Sequence, residues 1–459
     1  MSWRVLTGHV LDVLPTLTPG SVQCVLTSPP YYGIRSYGKH PVAWPDGWIG
    51  ELGHEPTPAM YVAHLVEVFR AMRPALRDDA TVWLNLGDSY ARRWSSRRDA
   101  GGSGLRSEER ERHGRPPDGF NDGDMIGIPW RVAFALQADG WWLRSDVIWS
   151  KRSPMPESVN GVRWERCRVK VAPRPDTRSA GTPERPHAAH GAHRDDNDSG
   201  TFAAAECPGC PKCRPNDGLV LRRGSWRPTR SHEYVFLLAK SANYFADREA
   251  VLEPFVTHAR ENYPARAQIT GRGEQGYAEA RGDDRDKSGE FPPGGSGRNK
   301  RSVWTIGPAP FDGQHYATMP PELAEICIRA GTSERGACRD CGAPWPRIVE
   351  RSQRTDGRAE PGDRERDRGG RDDGFTKAPS GLLSDSVTLG WRRMCSHSAP
   401  AVPCLVLDPF AGAGTSGLVA DRLGRDCVLI DVSIEYTAMS RQRIIGDAPL
   451  FATASEATT

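Results

Sequence analysis

The sequence predicts an α/β fold with a Rossmann-like parallel sheet, and three observations lead to this prediction. Short apolar runs typical of buried strands recur along the chain, and segments with apolar residues at helical spacing lie between them. Near the end of the sequence, CLVLDPFAGAGTSGLVADRLGRDCVLIDVS (404–433) has the order strand, glycine loop, helix, strand. That order is one βαβ unit, and repeated alternation of strands and helices is typical of parallel sheets covered by helices.

Each remaining element is predicted from a local pattern. Buried strands are predicted at 21–27 (SVQCVLT), 81–88 (TVWLNLGD), 141–151 (WWLRSDVIWSK) and 233–240 (EYVFLLAK). Helices are predicted at 59–73, at 128–140, which Gly140 would close, and at 320–331, which Gly331 would end. Residues 152–225 are expected to be irregular, with 177–200 disordered.

The composition is that of a globular protein interrupted by polar segments. Hydrophobic residues make up 37% of the 459 residues, and the net charge of +3 neither requires nor excludes a nucleic acid partner. There is no run of about 18 apolar residues, as a membrane span would need. The first residues, MSWRVLTGHVLDVL, lack the pattern of a signal peptide, so a cytoplasmic location is expected.

The glycine loop Asp408-Pro409-Phe410-Ala411-Gly412-Ala413-Gly414-Thr415 follows directly on an apolar strand. Open α/β sheets bind ligands at the carboxyl ends of their strands, where glycines allow close approach to the backbone. The loop is neither GxxxxGK[ST] nor a full GxGxxG, which argues against nucleoside triphosphates and nicotinamide cofactors. Asp431 ends the next strand, where an acid can accept hydrogen bonds from a ribose. An acid at Asp408 suits a cationic amino group, and S-adenosylmethionine has that group together with a ribose.

Residues 27–31 read TSPPY and follow the predicted strand at 21–27. TSPPY near the start and DPFAGAGT near the end, in this order, resemble the beta group of DNA amino-methyltransferases, which modify cytosine N4 or adenine N6. The likeness extends to GHVLDVLPTL (8–17), GWWLRSDVIWSK (140–151), SWRPTRSHEYVFLLAKS (225–241) and QHYATMPPELAEICIRAG (314–331), about half of the chain. His9 and Met319 stand where the family commonly has aspartate and phenylalanine.

The resemblance implies that Ser28, Pro29, Pro30 and Tyr31 form the catalytic motif. The exocyclic amine of a base is a poor nucleophile, because its lone pair is delocalised into the ring. Two acceptors, the Ser28 hydroxyl and the Pro29 carbonyl, would bind its hydrogens and stabilise the developing positive charge. The prolines would hold that carbonyl in place. Tyr31 would stack on a base that is flipped out of double-stranded DNA.

The resemblance also implies where S-adenosylmethionine would bind. The expected contacts are Asp12, Thr27, His315, Pro320, Asp408, Pro409, Phe410, Gly412, Gly414, Thr415 and Asp431. Pro403-Cys404 is similar to the Pro-Cys pair of cytosine-C5 methyltransferases, but it opens the strand before the glycine loop. Cys404 is therefore predicted to be a core residue.

Two clusters of cysteines have the spacing of metal ligands. The first set is Cys207, Cys210 and Cys213 with Cys167, and the second is Cys338 and Cys341 with Cys395 and His397. Each set offers four soft ligands, which fits structural tetrahedral zinc. An iron–sulfur cluster at 207–213 is the alternative, since C-x-x-C-x-x-C also suits it.

Core segments and insertions alternate along the chain. The core is predicted at 1–90 with the catalytic motif, 126–151, 231–256, 301–337, which would wrap the cofactor, and 400–459 with the cofactor motif. The insertions are a mobile arginine-rich loop at 91–125, the first cysteine segment at 152–230, a polar loop at 257–300 and the second Cys/His segment at 338–399. Arginines gather at 92–115 and 222–230, as solvated loops or as a phosphate-contacting surface. The insertions at 152–230 and 257–300 are the candidates for DNA recognition.

These features together predict an S-adenosylmethionine-dependent, site-specific DNA methyltransferase acting on cytosine N4. The base is inferred from Ser28, because adenine enzymes of the family mostly have aspartate or asparagine there. An adenine-N6 DNA methyltransferase, an RNA methyltransferase and a zinc-containing DNA-binding protein with an idle core are the alternatives. The resemblance also suggests a separate cognate restriction endonuclease as a partner.

Overall fold

The computed structural model describes residues 2–33, 41–91, 119–154, 161–171, 203–254, 297–307, 318–355 and 382–447. The predicted arginine-rich segment at 92–115, the segment at 177–200 and all but the end of 257–300 lie outside these residues. The chain divides into two compact units. The core unit comprises Met1–Tyr90, Met125–Arg152 and His232–Thr459, and the insertion unit comprises Ala91–Asp124 and Ser153–Ser231.

The core unit is built on one eight-stranded sheet. Its strands are β1 (Trp3–Thr7), β2 (Val22–Thr27), β3 (Leu76–Leu86), β4 (Trp142–Lys151), β5 (His232–Ala239), β6 (Val303–Ile306), β7 (Leu405–Asp408) and β8 (Asp426–Asp431). Their order across the sheet is β1-β8-β7-β2-β3-β5-β4-β6. The strands β1, β8, β7, β2 and β3 are mutually parallel, and β6 is parallel to β4. The predicted α/β fold is confirmed.

One strand departs from the predicted parallel sheet, since β5 runs antiparallel to both of its neighbours, β3 and β4. A parallel connection needs a crossover, usually a helix, whereas antiparallel strands need none. No helix is described between β4 and β5, apart from the single 3₁₀ turn Arg214–Asn216. The sheet is therefore parallel, as predicted, except at this one strand.

Helices cover the sheet, and the three whose bounds were predicted begin and end within two residues of the predicted positions. They are α1 (Val10–Val13), α2 (Pro58–Met72), α3 (Ile128–Ala138), α4 (Pro321–Gly331), α5 (Thr415–Arg422) and α6 (Ile434–Asp447). The other 3₁₀ turns are Leu14–Thr16, Arg73–Ala75 and Arg248–Val251. Thr57 caps α2 by accepting a hydrogen bond from Met60 N (3.2 Å), and Pro58 opens the helix where its missing N–H is not needed. No helix among the described residues is long and apolar enough to cross a membrane.

Gly331 is the last residue of α4, as predicted, but not for the predicted reason. Its backbone is not left-handed, unlike that of Gly140, which has φ +92° after α3. A Cβ at Gly331 would lie 2.5 Å from Thr81 Oγ1 and 2.6 Å from Cys24 Sγ. The glycine is therefore needed because α4 packs directly onto β2 and β3.

The hydrophobic core lies between the sheet and its helices. Cys24 and Leu26 of β2 and Val406 of β7 pack there with Leu323 and Cys327 of α4. Cys404 is fully buried, as predicted, and burial raises the pKa of its thiol to about 11. It is a core residue and not an exposed nucleophile.

The core unit also contains short antiparallel strand pairs outside the eight-stranded sheet. They are Val42–Ala43 with Ile49–Gly50, Glu253–Pro254 with Gly297–Arg298, Ala337–Cys338 with Ala401–Val402, and the longer pair Arg347–Thr355 with Leu382–Trp391. The last pair forms the base of the predicted polar insertion at 338–399.

The insertion unit contains two antiparallel pairs where the sequence predicted irregular structure. Arg163–Arg166 pairs with Leu219–Arg222, and Arg168–Val171 pairs with Ala203–Glu206. The prediction of an irregular segment at 152–225 was therefore wrong for these residues. Four residues is the shortest length at which alternation predicts a strand; RVKV (168–171) alternates, whereas AAAE (203–206) and LVLR (219–222) do not.

Candidate active site and metal centres

The two quoted motifs meet at the carboxyl edge of the sheet. Because β2, β7 and β8 are neighbours and parallel, TSPPY, the glycine loop and Asp431 all follow strand ends at one edge. Thr27 Oγ1 donates a 2.8 Å hydrogen bond to Asp408 Oδ1, across 381 residues of sequence. The structure thus joins the predicted catalytic motif directly to the predicted cofactor motif.

Asp408 is a buried carboxylate that organises the glycine loop. It is only 5% exposed, and besides Thr27 it accepts from Phe410 N (3.0 Å) and Ser416 Oγ (2.5 Å). Burial raises the pKa of the Asp408 carboxyl to about 6, although these three donors favour the ionised form. Its visible role is to fix the start of the loop, with Pro409 buried beside it and Phe410 half-buried.

Asp431 and two glycines shape the rest of the loop. Asp431 Oδ2 accepts from Gly412 N (2.9 Å), and its Oδ1 accepts from Ser433 N (2.9 Å). Gly412 and Gly414 have φ of +52° and +71°, a region that favours glycine. A Cβ at Gly414 would also lie 2.7 Å from the Ser440 side chain on α6. Glycine is therefore required at Gly414 both by its backbone conformation and by the close approach of α6.

The other residues expected to contact the cofactor differ in burial and in position relative to the glycine loop. Thr415 opens α5, is buried, and accepts from Arg443 Nη1 (2.8 Å). Asp12 is exposed on α1, which follows β1 beside the end of β8. Pro320 is the residue that precedes and caps α4. His315 lies outside the described residues.

His9 precedes α1 and is held edge-on against Trp44, with ring centroids 5.0 Å apart. Burial lowers the pKa of the His9 imidazole. Among the described residues no partner reaches its buried Nε2. The segment 8–17, which resembles the family, thus contains a buried ring nitrogen that has no partner among the described residues.

The TSPPY motif is the start of a chain of hydrogen bonds. Ser28 Oγ donates to Tyr31 OH (3.3 Å), and Tyr31 OH donates to Glu233 Oε2 (2.6 Å). Pro29 is buried, and no described residue donates a hydrogen bond to its carbonyl, whereas the Pro30 carbonyl accepts from Tyr61 OH (2.8 Å). The Pro29 carbonyl thus differs from its neighbour in having no protein donor in the described structure.

Three residues that the sequence reasoning missed complete this network. Asn85 Nδ2 donates to Tyr31 OH (2.9 Å) and to Glu233 Oε2 (3.2 Å), and Lys151 Nζ forms an ion pair with Glu233 Oε1. Asn85 Oδ1 is buried and has no partner among the described residues. A buried acceptor without a donor costs free energy unless something binds it. A ligand with an N–H group would supply that donor.

Strand direction explains why Glu233 was missed. It lies at the amino end of β5, which reaches the carboxyl edge of the other strands only because β5 is antiparallel. Two sequence signals could have indicated the other residues. Asn85 is an amide inside an otherwise apolar strand, and Lys151 is a charged residue at the end of a strand. Neither signal is specific by itself.

One face of Tyr31 is covered by the chain itself. A Cβ on Gly87, just past the end of β3, would lie 2.5 Å from Tyr31 Cε2. Gly87 is therefore required because any side chain there would collide with the Tyr31 ring.

The first cysteine set lies in the insertion unit and has the spacing of a single tetrahedral ion. Three Sγ–Sγ distances are 3.8 Å (Cys167–Cys210), 3.7 Å (Cys210–Cys213) and 3.9 Å (Cys213–Cys207). Zn–S bonds of about 2.3 Å in a tetrahedron place sulfurs about 3.8 Å apart. Backbone N–H groups of Lys212 and Cys213 lower the pKa of the Cys210 thiol to about 6. The residues fit zinc better than a polynuclear cluster, whose cysteines bind different irons.

The second set lies in the core unit. The ligand atoms of Cys338, Cys341, Cys395 and His397 are all within 4.8 Å of one another. Cys338 and Cys341 lie on a tight turn closed by a hydrogen bond from Gly342 N to Cys338 O (2.7 Å). The structure thus brings together all eight residues that the sequence predicted as metal ligands, in the two predicted sets.

The comparison with known proteins agrees with this geometry. Residues 22–341 match the DNA methylase family (N6_N4_Mtase). The chain belongs to that family. The predicted relationship to the DNA amino-methyltransferases is confirmed, including the beta-group order in which TSPPY precedes the glycine loop.

Three relatives illustrate the range of similarity to this DNA methylase. The type II methyltransferase M.SmaI of Serratia marcescens is 27% identical, over 97% of this chain and 91% of the relative. M.Cfr9I of Citrobacter freundii is 28% identical, over 96% and 87%. The structure of PvuII DNA methyltransferase, described as cytosine-N4-specific, is 13% identical, with a TM-score of 0.43 over 96% of this chain and 86% of that one.

Proposed function

We propose that this DNA methylase transfers a methyl group from S-adenosylmethionine to N4 of a cytosine flipped out of double-stranded DNA. The observation that carries the proposal is the hydrogen-bonded chain from Ser28 to Glu233, which begins beside the Asp408 loop. The family contains enzymes for both cytosine N4 and adenine N6, so the choice of base is the finer part of the proposal.

The residues at the carboxyl edge fit S-adenosylmethionine. Gly412 and Gly414 give the loop its left-handed backbone turns, and Asp431 ends the strand next to the loop. Asp408 would act by holding the loop in its binding shape, through the hydrogen bonds to Thr27, Phe410 and Ser416. When bound, S-adenosylmethionine supplies an electrophilic methyl group on a positively charged sulfur.

Three acceptors would orient the amine of the target base. Ser28 Oγ can accept one N–H while its own proton points to Tyr31, because a hydroxyl has one donor and two acceptor positions. The Pro29 carbonyl and Asn85 Oδ1 are the acceptors for the second N–H. Such acceptors stabilise the positive charge that develops on nitrogen as it is alkylated.

The same network would remove the proton that the nitrogen must lose. The N–H bond breaks with its electron pair staying on nitrogen, and the proton passes to Ser28 Oγ. Ser28 gives its hydroxyl proton to Tyr31, which gives its own to Glu233 Oε2 along the existing hydrogen bonds. Lys151 and Asn85 hold the Glu233 carboxylate in position for this transfer.

Ser28 favours cytosine over adenine. A short, neutral hydroxyl held close to the backbone suits the smaller ring of cytosine, whereas the larger ring of adenine calls for a longer side chain. Digesting methylated DNA to nucleosides and weighing them by mass spectrometry tests the proposal. N4-methylcytosine is expected; N6-methyladenine as the only product would overturn the choice of base, and transfer to RNA but not to duplex DNA would overturn the substrate.

We propose further that both cysteine sets bind zinc. The 3.7–3.9 Å sulfur spacings of the first set and the clustering of the second support this, and the ions would hold the bases of the insertions together. Metal analysis of the purified protein is expected to give about two zinc per chain. An iron–sulfur absorption band, or no metal, would contradict it. A separate cognate restriction endonuclease remains a prediction.

A further inference from the structure

The insertion unit has a strongly basic composition that the methyl-transfer chemistry does not use. Its described residues at 161–171 and 203–231 include ten Arg and Lys against three Asp and Glu, a net charge of +7. The whole chain has a net charge of only +3, so the rest of the sequence is net negative. Positive charge is therefore concentrated in this part of the insertion unit.

Two arginines lie directly opposite each other on its strand pair. Arg163 and Arg222 are cross-strand partners, with side chains 41% and 54% exposed, and Arg223 beside them is also exposed. Like charges placed directly opposite are destabilising in a sheet. Glu165 offsets part of this by pairing with both Arg163 and Arg222. Arg223 follows Arg222 in the chain, so three exposed guanidinium groups are concentrated on this strand pair.

The two ends of this strand pair differ. At one end, Cys167 directly follows the strand and its N–H donates to Gly218 O (2.8 Å), so the cysteine set holds that end closed. At the other end, Gly161 N donates to Ser225 O (3.1 Å), and Trp226 next to it is 71% exposed. An exposed patch thus lies at the end of the strand pair opposite the cysteine set. It consists of Arg163, Arg222, Arg223 and Trp226, and we call it the arginine patch.

We propose that the arginine patch binds the phosphate backbone of double-stranded DNA. This inference rests on the proposed function for its choice of duplex DNA as the polyanion. Guanidinium groups pair with phosphates in a bidentate geometry, and Glu165 already orients two of them. An exposed indole beside them suits contact with a sugar or base. The contact would add affinity that does not depend on sequence.

The test compares two triple variants of the full-length protein. R163Q/R222Q/R223Q removes the charges of the patch, and R70Q/R329Q/R422Q removes three exposed, ion-paired arginines of the core unit as the matched control. Dissociation constants for a fluorescent DNA duplex are measured by anisotropy from about 50 to 200 mM salt. Zinc content and S-adenosylmethionine affinity serve as checks that each variant is folded.

Each lost phosphate contact lowers the slope of log K against log salt by about 0.9, so the patch variant is expected to lose about two to three units of slope. The control should retain the wild-type slope. Trp226→Ala should weaken binding with no change in slope, since the indole has no charge. Equal slopes for the patch variant and the control would overturn the proposal.

Two further outcomes separate this proposal from the proposed function. If duplex DNA binding shows the expected slope change while no methyl group is transferred, the patch stands and the methyltransferase assignment fails. If an RNA hairpin binds more tightly than the DNA duplex and shows the same loss, the assignment of the patch to DNA is wrong.

Discussion

The glycine loop and the hydrogen-bonded chain from Ser28 to Glu233 are each organised by one carboxylate, and the two carboxylates are held in different ways. Asp408 is buried and accepts only from neutral donors: two hydroxyls and one backbone N–H. Glu233 is paired with a cation, Lys151, and also accepts from Tyr31 and Asn85. The hydrogen bonds of Asp408 fix the backbone conformation of the glycine loop. Glu233, in contrast, is the charged end of the proposed proton-transfer chain from Ser28 through Tyr31. Substitutions at the two sites should therefore have separable effects.

The largest expected effect on cofactor affinity is the loss of S-adenosylmethionine binding in Asp408→Ala. The change leaves two hydroxyls and one N–H without their acceptor, and two such buried donors already correspond to about 3 kcal/mol, or about a hundredfold in affinity. Isothermal titration calorimetry measures the loss. Glu233→Gln is the control, with affinity unchanged within about twofold; equal losses in both variants would erase the distinction between the two regions.

Ser28→Ala should lower the rate of methyl transfer by about a thousandfold with little change in cofactor affinity. The variant loses both an acceptor for the amine and the first link of the proton path, and groups that transfer protons commonly contribute 10²- to 10⁴-fold, as orders of magnitude. Single-turnover transfer of labelled methyl to duplex DNA measures the rate. Ser21→Ala, at the amino end of the same strand, should behave like the wild type. A Ser28 variant that retains full rate would remove this residue from the mechanism.

Glu233→Gln is expected to lower the single-turnover rate by roughly 10- to 100-fold, because glutamine keeps an acceptor for Tyr31 but cannot take up the proton. Affinities for cofactor and DNA should not change. The solvent deuterium isotope effect on the transfer step should also change, which a purely structural role for Glu233 would not require. Glu325→Gln, an exposed ion-paired glutamate on α4, is the matched control. An unchanged rate and isotope effect would end the proton path at Tyr31.

Acid should weaken cofactor binding through Asp408. Burial raises the pKa of this carboxyl to about 6, so the ionised form that accepts three hydrogen bonds prevails above that pH and is lost below it. Affinity for S-adenosylmethionine should be level between about pH 7 and 8 and fall by up to about tenfold per pH unit below 6. Calorimetry across this pH range tests whether the affinity for S-adenosylmethionine falls with acid, as expected. Asp408→Asn should bind weakly at every pH; an affinity that rises with acid would contradict the assignment.

The smallest expected effect on the cofactor site is that of Cys210→Ser. It should remove one of two zinc ions and loosen the arginine patch, yet leave S-adenosylmethionine affinity within about twofold of the wild type. Metal analysis and calorimetry on the same sample check both statements. Full zinc content would contradict the assignment of Cys210 as a ligand. A large loss of cofactor affinity would show that the first cysteine set also affects the cofactor site in the core unit.

The sequence allowed prediction of those parts of the site that lie in contiguous motifs. Ser28 and Asp408 each stand in a short run whose residue types already indicate their chemistry. Glu233 could not be predicted, because its position depends on the direction of β5, which is set by the connection and not by the residues of the strand. Gly331 was expected as a helix stop, but its small size matters for packing against Thr81 and Cys24, which only the tertiary structure reveals.

The position of β7 and β8 has a consequence for the order in which the protein can assemble on the ribosome. These two strands come after β1 to β6 in the chain, yet they lie between β1 and β2 in the sheet. Until residues 405–431 have been synthesised, β1 lacks its partner strand β8. One edge of β2, whose residues are all buried in the folded protein, is also left without its partner strand β7. Contacts across such a distance form slowly. A chain truncated before residue 405 is therefore expected to depend on chaperones, and a nascent chain can form the Thr27–Asp408 hydrogen bond only after Asp408 has been synthesised.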